Sequence, residues 1–308
     1  MSAAETEPAS PGAIGSGTRP EVELPGQRWS WRLIMGAFAR NWQAQAGLAV
    51  VVLLVLFCFI GPLFYRTNQV TVQLELKDIA PGARYPLGTD DTGFDVLGRL
   101  MVAGQSSLEL GFAVAITTTV LGTAYGAIAG IAGGIVDAVM MRVVDTLLAI
   151  PWLVLLLILV NYLTPNLWTI IALLSILSWL GVARLVRGEV ISLRTREFVL
   201  AARTMGSTST RIMFRHLIPN AMGVIVVSAT FSIADAILAL STLSFLGLGL
   251  PPPHADWGSM LTGGLNDLFN GYWWLVYPPA VILIVTIIAF SLIGDALRDS
   301  LDVRLRRR

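Results

Sequence analysis

The sequence predicts an all-α membrane protein: six transmembrane helices with a cytosolic helix-turn-helix loop between the fourth and fifth. Three observations predict it. Six apolar runs, near 45–65, 106–133, 143–163, 167–187, 221–246 and 275–296, each reach the ~20 residues that cross ~30 Å of hydrocarbon. Hydrophobic residues make up 55% of the 308 and charged residues 13%, about half the charged share of a globular chain. The arginines and the lone Lys77 also segregate. With the N-terminus inside, seventeen fall in inner segments and four in outer ones, all between Arg66 and Arg99, which places both termini in the cytosol.

Composition excludes several functions. A phosphate-cradling GxxxxGK[ST] loop needs a lysine, and Lys77 lies in LELKDIA, with no glycine cradle beside it. ATP, if it drives this protein, binds another chain. Cys58 is the only cysteine, so no intramolecular disulfide forms. The arginines follow topology and not a binding face, so the net charge of +1 implies no nucleic-acid partner.

Taken in order, residues 1–27 are rich in Ala, Glu, Pro, Gly and Ser and read as a disordered tail; Glu5 and Glu7 and the lack of an apolar run argue against a secretory signal. In residues 28–44, Trp31, Ile34, Met35, Phe38 and Trp42 recur at helical spacing apart from Arg28, Arg32 and Arg40, as expected of an interfacial helix or the polar start of the first span. LGTDDTGFDVLGRL, from Leu87 to Leu100, reads as a turn feeding a short helix capped by Asp95, with a structural role or a contact to a binding protein as the alternatives. In the second span Gly122, Gly126 and Gly130 stack on one face and predict close helix packing. At the start of the third, Arg142 is placed to pair with Asp145 at i, i+3. The fourth ends at Arg184 and Arg187.

The loop from Arg194 to Asn220, RTREFVLAARTMGSTSTRIMFRHLIPN, reads helix, break, helix. Phe198, Leu200, Ala201, Ala202 and Met205 are expected to form a small-apolar inner face under a basic exterior. Gly206 provides a left-handed helix end, Ser207 to Thr210 provide capping oxygens, and Pro219 is expected to stop the second helix. In the fifth span Ser228, Ser232, Asp235 and Thr242 share one face; an aspartate within a span is costly unless it meets a partner or water. That face either lines a translocation pathway or binds the bundle through hydrogen bonds from Asp235 to serines on another helix. FLGLGLPPPHADWGSML follows, with Asp256 placed to cap a helix starting at Trp257; His254 has no second His or Cys nearby, so no metal site is assigned. Tyr272, Trp273 and Trp274 predict an outer aromatic belt before Pro278 and Pro279 open the last span, which ends in GDALRDSLDVRLRRR.

Four of these segments resemble ABC-importer permeases, over residues 40 to 305. Ala201-Ala202, Gly206, Ile212 and Leu217-Ile218-Pro219 are similar to the EAA loop of that family, with Leu200 where the family has Glu. Leu87 to Leu100 is similar to LGTDxxGRDVLSRL of the peptide and nickel branch, with Phe94 in place of Arg. The run after the fifth span resembles FLGLGxxPPxPxWGxML, and the ending GDxLRDxLD. The resemblance implies a type I ABC importer permease fold and a C-type, non-catalytic permease subunit for oligopeptides or dipeptides, with nickel or glutathione as alternative cargo in the same family. It implies a bacterial inner membrane, a second homologous permease, two ATP-binding subunits that bind ATP and Mg, and an extracytoplasmic substrate-binding protein. ATPase coupling would fall to Glu197, Leu200, Ala201, Ala202, Arg203, Thr204, Gly206, Arg211, His216 and Pro219 within 197–219. An ion-coupled secondary transporter would need internal repeats and an intramembrane titratable network, and an intramembrane enzyme a HExxH, GxSxG or paired-aspartate motif; neither set is found in the sequence.

Overall fold

The computed structural model describes residue 36 and residues 38–306. The tail at 1–27 and most of the segment 28–44 lie outside them. Among the described residues the chain is helical with no strand, apart from one isolated bridge between Thr89 and Asp95.

Helix α1, Trp42–Phe64, begins at Asn41, whose side-chain Oδ1 accepts the Gln43 amide at 2.9 Å. Residues 42–44 therefore belong to the first span and not to a separate interfacial helix. Its second half contains a π turn, Leu56–Ile60, and Gln105 Nε2 donates to the Cys58 carbonyl there at 2.7 Å. Helix α2, Val96–Ala132, runs 37 residues, about 55 Å. Asp95 caps it, accepting the Gly98 amide at 2.7 Å, but what it caps is one long helix and not a short one preceding the span. No proline interrupts 96–132, and the glycines that weaken it are packed: Gly104 lies against Cys58 and Trp257, and Gly111 against Ile233 and Ile237.

The third apolar run is not one rod. Helices α3, Gly134–Leu148, and α4, Trp152–Asn161, meet at 76° across Pro151, which lacks an amide and disfavours helix in the residue before it. Helix α5, Leu167–Arg194, follows, then the short α6, Glu197–Thr204. Helix α7 runs Ser209–Phe245, α8 Trp257–Leu268 and α9 Tyr277–Arg306. Among the described residues, five helices are long and apolar enough to cross a membrane, or six spans if the bent pair counts as one.

Helix α2 is the central post, with α5 on one side and α7 on another, while α9 packs on α7 and α1. The α2–α5 seam depends on glycine. A Cβ on Gly122 would lie 2.6 Å from Val182 Cβ, one on Gly130 2.7 Å from Val190 Cγ1, and one on Gly126 would overlap the Ala183 carbonyl. Without a hydrophobic drive between spans, such close backbone approach supplies the dispersion contact that holds them. Arginines of α5 then pin α3. Arg187 grips Asp137 with two bonds, 2.5 and 2.7 Å, and Arg184 reaches Asp145 at 2.6 Å. The expected Arg142–Asp145 pair does not form; Asp145 turns to the neighbouring helix, where a second chain segment supplies the cation.

At the end away from α6, two tryptophans act as rivets. Trp257 is fully buried and its Nε1 donates to the Leu100 carbonyl at 3.1 Å. Asp256 accepts the amides of Gly258 (2.8 Å) and Ser259 (3.1 Å) and the Ser244 hydroxyl (2.7 Å), fastening α8 to the end of α7. Burial pushes its carboxyl above the usual aspartate range, against those hydrogen bonds. Trp274 is not part of an exposed aromatic belt: it is 6% exposed and its Nε1 reaches the Thr89 carbonyl at 3.3 Å, while Trp273 remains half exposed. Phe94, standing where the resemblance led one to expect Arg, is buried under the Arg99 guanidinium at 4.6 Å, and Arg99 Nη1 donates to the Pro253 carbonyl at 3.1 Å.

Candidate functional site

The elbow after α5 is built from local rules. Arg196 stands in an extended conformation ahead of α6, and α6 ends at Gly206 with φ +79°. The Gly206 amide donates to the Arg203 carbonyl (2.9 Å) and the Ser207 amide to the Ala202 carbonyl (3.0 Å), the paired bonds of a Schellman stop. Thr208 then caps α7, its Oγ1 accepting the Arg211 amide at 3.3 Å.

Pro219 does not stop the second helix. Residues Ser209–Phe245 form one continuous rod with a π turn at Met213–Leu217, just before the proline. The widened turn displaces the carbonyl that a proline ring would otherwise strike and uses no amide at 219, so the helix passes through. The second half of the elbow is therefore the first part of the fifth span.

The inner face of α6 matches the expected one only at Ala202. Val199 and Ala202, three apart, point inward and pack with Val186, Val190, Ile212, Leu217, Ala221 and Ile225. Phe198 (42% exposed), Leu200 (49%) and Met205 (79%) face out, as does Phe214 (64%) on α7. Of the ten residues singled out, Glu197, Leu200, Ala201, Arg203, Thr204, Gly206, Arg211 and Pro219 are exposed, His216 is half-buried with its ring 6.3 Å from Phe198, and Ala202 is an internal anchor. The elbow thus presents bulky apolar side chains among arginines, and Phe214, not among those ten, belongs to that surface. Two positions from the buried Ile212, Phe214 falls on the opposite face of the helix.

The second stripe is on the same rod. Ser228 Oγ donates to the Ile225 carbonyl, Ser232 to Ser228 and Thr242 to Leu238, all within α7. Asp235 is exposed, and among the described residues it makes no hydrogen bond to a serine of another helix. Ile233 and Ile237 turn toward α2 at Gly111, so Asp235 between them turns away from it. Pro219 and Asp235 are sixteen positions apart on this helix, about 24 Å.

Sequence reasoning passed over Glu109. It is exposed on α2, two positions from Gly111 and so within about 3 Å of the level of Asp235. Its side of α2 is opposite the one facing α7. The signal was available, since an acidic residue inside the apolar run 106–133 meets the same criterion as Asp235. His254 is exposed, and no group of three His, Cys, Asp or Glu arranged to hold a metal occurs among the described residues.

Comparison with known proteins places this architecture. Residues 122–307 match the family described as binding-protein-dependent transport system inner membrane component, and residues 30–81 match the N-terminal TM domain of oligopeptide transport permease C. The oligopeptide transport system permease protein OppC of Bacillus subtilis is 39% identical over 90% of this chain and 90% of its own. The dipeptide transport system permease protein DppC of the same organism is 38% identical, over 90% of this chain and 86% of its own. OppC of Escherichia coli K12 is 38% identical over 93% of this chain and 95% of its own.

Proposed function

The chain belongs to the family of binding-protein-dependent transport system inner membrane components, and on that premise we propose that it is the C-type permease subunit of a peptide importer in a bacterial inner membrane, N- and C-termini cytosolic. The substrate class follows the relatives, which are named for oligopeptide and dipeptide transport. The chain forms half of the pathway, a second homologous permease forms the other half, two ATP-binding subunits hydrolyse ATP with Mg on the inner side, and an external binding protein delivers peptide. No catalytic residue or cofactor is assigned to this chain.

One observation carries the mechanism: the second half of the elbow, from Ser209 on, and the Asp235 stripe are on one uninterrupted helix, Ser209–Phe245, with α6 packed against its start through Val199 and Ala202. The exposed Phe198, Leu200, Met205 and Phe214 supply an apolar contact for the ATP-binding subunit, and Glu197, Arg203 and Arg211 supply its charged rim. Closure of the nucleotide-binding pair moves this surface, and a rod about 24 Å long carries the shift to Asp235, giving alternating access. Cysteines at Leu200 and Phe214 are expected to cross-link to the ATP-binding subunit in the assembled importer. Capture of membrane helices alone would refute the docking.

Asp235 faces the pathway and meets the cationic amino group of a passing peptide. A charge-assisted hydrogen bond contributes roughly 1.5–3 kcal/mol, so Asp235→Asn is expected to raise the half-saturating peptide concentration about tenfold or more. The complex should co-purify in normal yield. If instead the subunits separate, Asp235 holds the assembly together and does not read the cargo.

A further inference from the structure

Three arginines near the end of α5, at 184, 187 and 194, are spaced three and seven apart and so lie in one row. The first two grip carboxylates of α3, as described. The third does something different. Arg194 Nη1 donates to the carbonyls of Gly130 (3.1 Å) and Ile131 (3.3 Å) in the last turn of α2. Those carbonyls face away from any helical amide, because the chain turns at Gly133 and Gly134, both at positive φ, and α3 sets off in a new direction. A cation at a helix carboxyl end is favoured by the dipole as well as by the bonds. Gly133 leaves room beside the guanidinium: a Cβ there would stand 2.7 Å from Arg194 Nη1, so the guanidinium would have to shift.

Arg194 is also the last residue of α5, three positions before Glu197 opens α6. A push on α6 reaches α7 through the buried Val199 and Ala202. Above Arg194, α5 and α2 are already locked by the glycine seam, so the last turn of α5 is where the elbow would pivot if nothing tied it down.

We propose that Arg194 is a positioning residue for energy coupling, a strut that binds the elbow to the carboxyl end of α2 so that its displacement moves α2 together with α7. This rests on the reading of the elbow as the ATPase dock. The strut touches neither ATP nor cargo, so its loss separates hydrolysis from transport without abolishing hydrolysis.

The test is the whole importer in proteoliposomes, read as peptide moved per ATP hydrolysed, with the Leu200 cysteine cross-link measured in parallel. In Arg194→Ala, cross-link yield and ATPase rate stay near wild type while peptide per ATP falls about five- to tenfold, the scale of a typical coupling energy. Arg194→Lys, which keeps the charge and one donor direction, restores most of the ratio. An unchanged ratio in Arg194→Ala overturns the strut, and so does a cross-link lost together with transport, since that places Arg194 in the dock itself. Should the alanine variant not assemble, Arg194→Met carries the test: it keeps an unbranched apolar stem but removes the charge and every donor, so a wild-type ratio there overturns the proposal. Absence of the cross-link in wild type would instead overturn the docking assignment.

Discussion

Gly206→Pro is expected to abolish ATP-coupled uptake, by about a hundredfold or more, while membrane insertion and yield stay normal. Gly206 stands at φ +79°, and a proline ring fixes φ near −65°, so the substitution cannot keep the turn. It removes the amide that closes the Arg203 carbonyl and disturbs the neighbouring bond from Ser207 to Ala202. It also restricts Met205, the residue that caps α6. The exposed stripe of α6 and that of α7 then lose their fixed angle, though every span remains. Crowding plays no part, because a Cβ at Gly206 meets nothing within 4 Å. Gly206→Asn, which tolerates the left-handed region, should therefore retain uptake within about twofold, and Gly206→Ala should lie between. Peptide uptake by right-side-out vesicles loaded with ATP and supplied with the binding protein checks this for each variant, and full uptake by the proline variant would remove the elbow from the mechanism.

What was legible in the sequence followed from rules that act over a few residues or along one helix. Long apolar runs set the spans, Asp95 and Asp256 marked helix starts because an acceptor there meets free amides, and Gly206 marked an end. The glycine row at 122, 126 and 130 announced a close seam, though not which helix would enter it. What was illegible depended on where a third segment lies. Arg142 had the right spacing for Asp145, but a guanidinium of α5 reached it first. Pro219 carried the sign of a helix end, and the preceding π turn cancelled it. The two stripes of α6 were both apolar enough to turn inward; the choice of Val199 and Ala202 was made by small side chains fitting against Val186 and Val190, a matter of volume between helices distant in sequence. Glu109 was legible, since it meets the same criterion as Asp235.

The largest expected loss of stability comes from the seam itself. A Cβ at Gly126 would overlap the Ala183 carbonyl and lie 3.0 Å from the Arg187 amide nitrogen, and both are backbone atoms that cannot rotate away. Gly126→Ala must therefore drive α2 and α5 apart, at a cost of about 1–3 kcal/mol for overpacking, and Gly126→Leu should leave no folded protein. The separation would also pull Arg187 from Asp137 and Arg194 from the α2 carbonyls, so one methyl group disturbs three contacts at once. Two glycines of α5 provide an internal control. A Cβ on Gly181 or Gly188 meets nothing within 4 Å, and neither residue needs a positive φ. Alanine at either should stabilise its helix by up to about 1 kcal/mol, because glycine is the poorer helix former. The same chemical change on the same pair of helices is thus expected to have opposite signs, according to whether a neighbouring backbone occupies the space. Unfolding in detergent, followed by helical signal for Gly126→Ala and Gly188→Ala side by side, reads the difference directly. If Gly126→Ala is as stable as Gly188→Ala, the seam is not close-packed, and a rigid α2–α5 unit cannot transmit motion from the elbow.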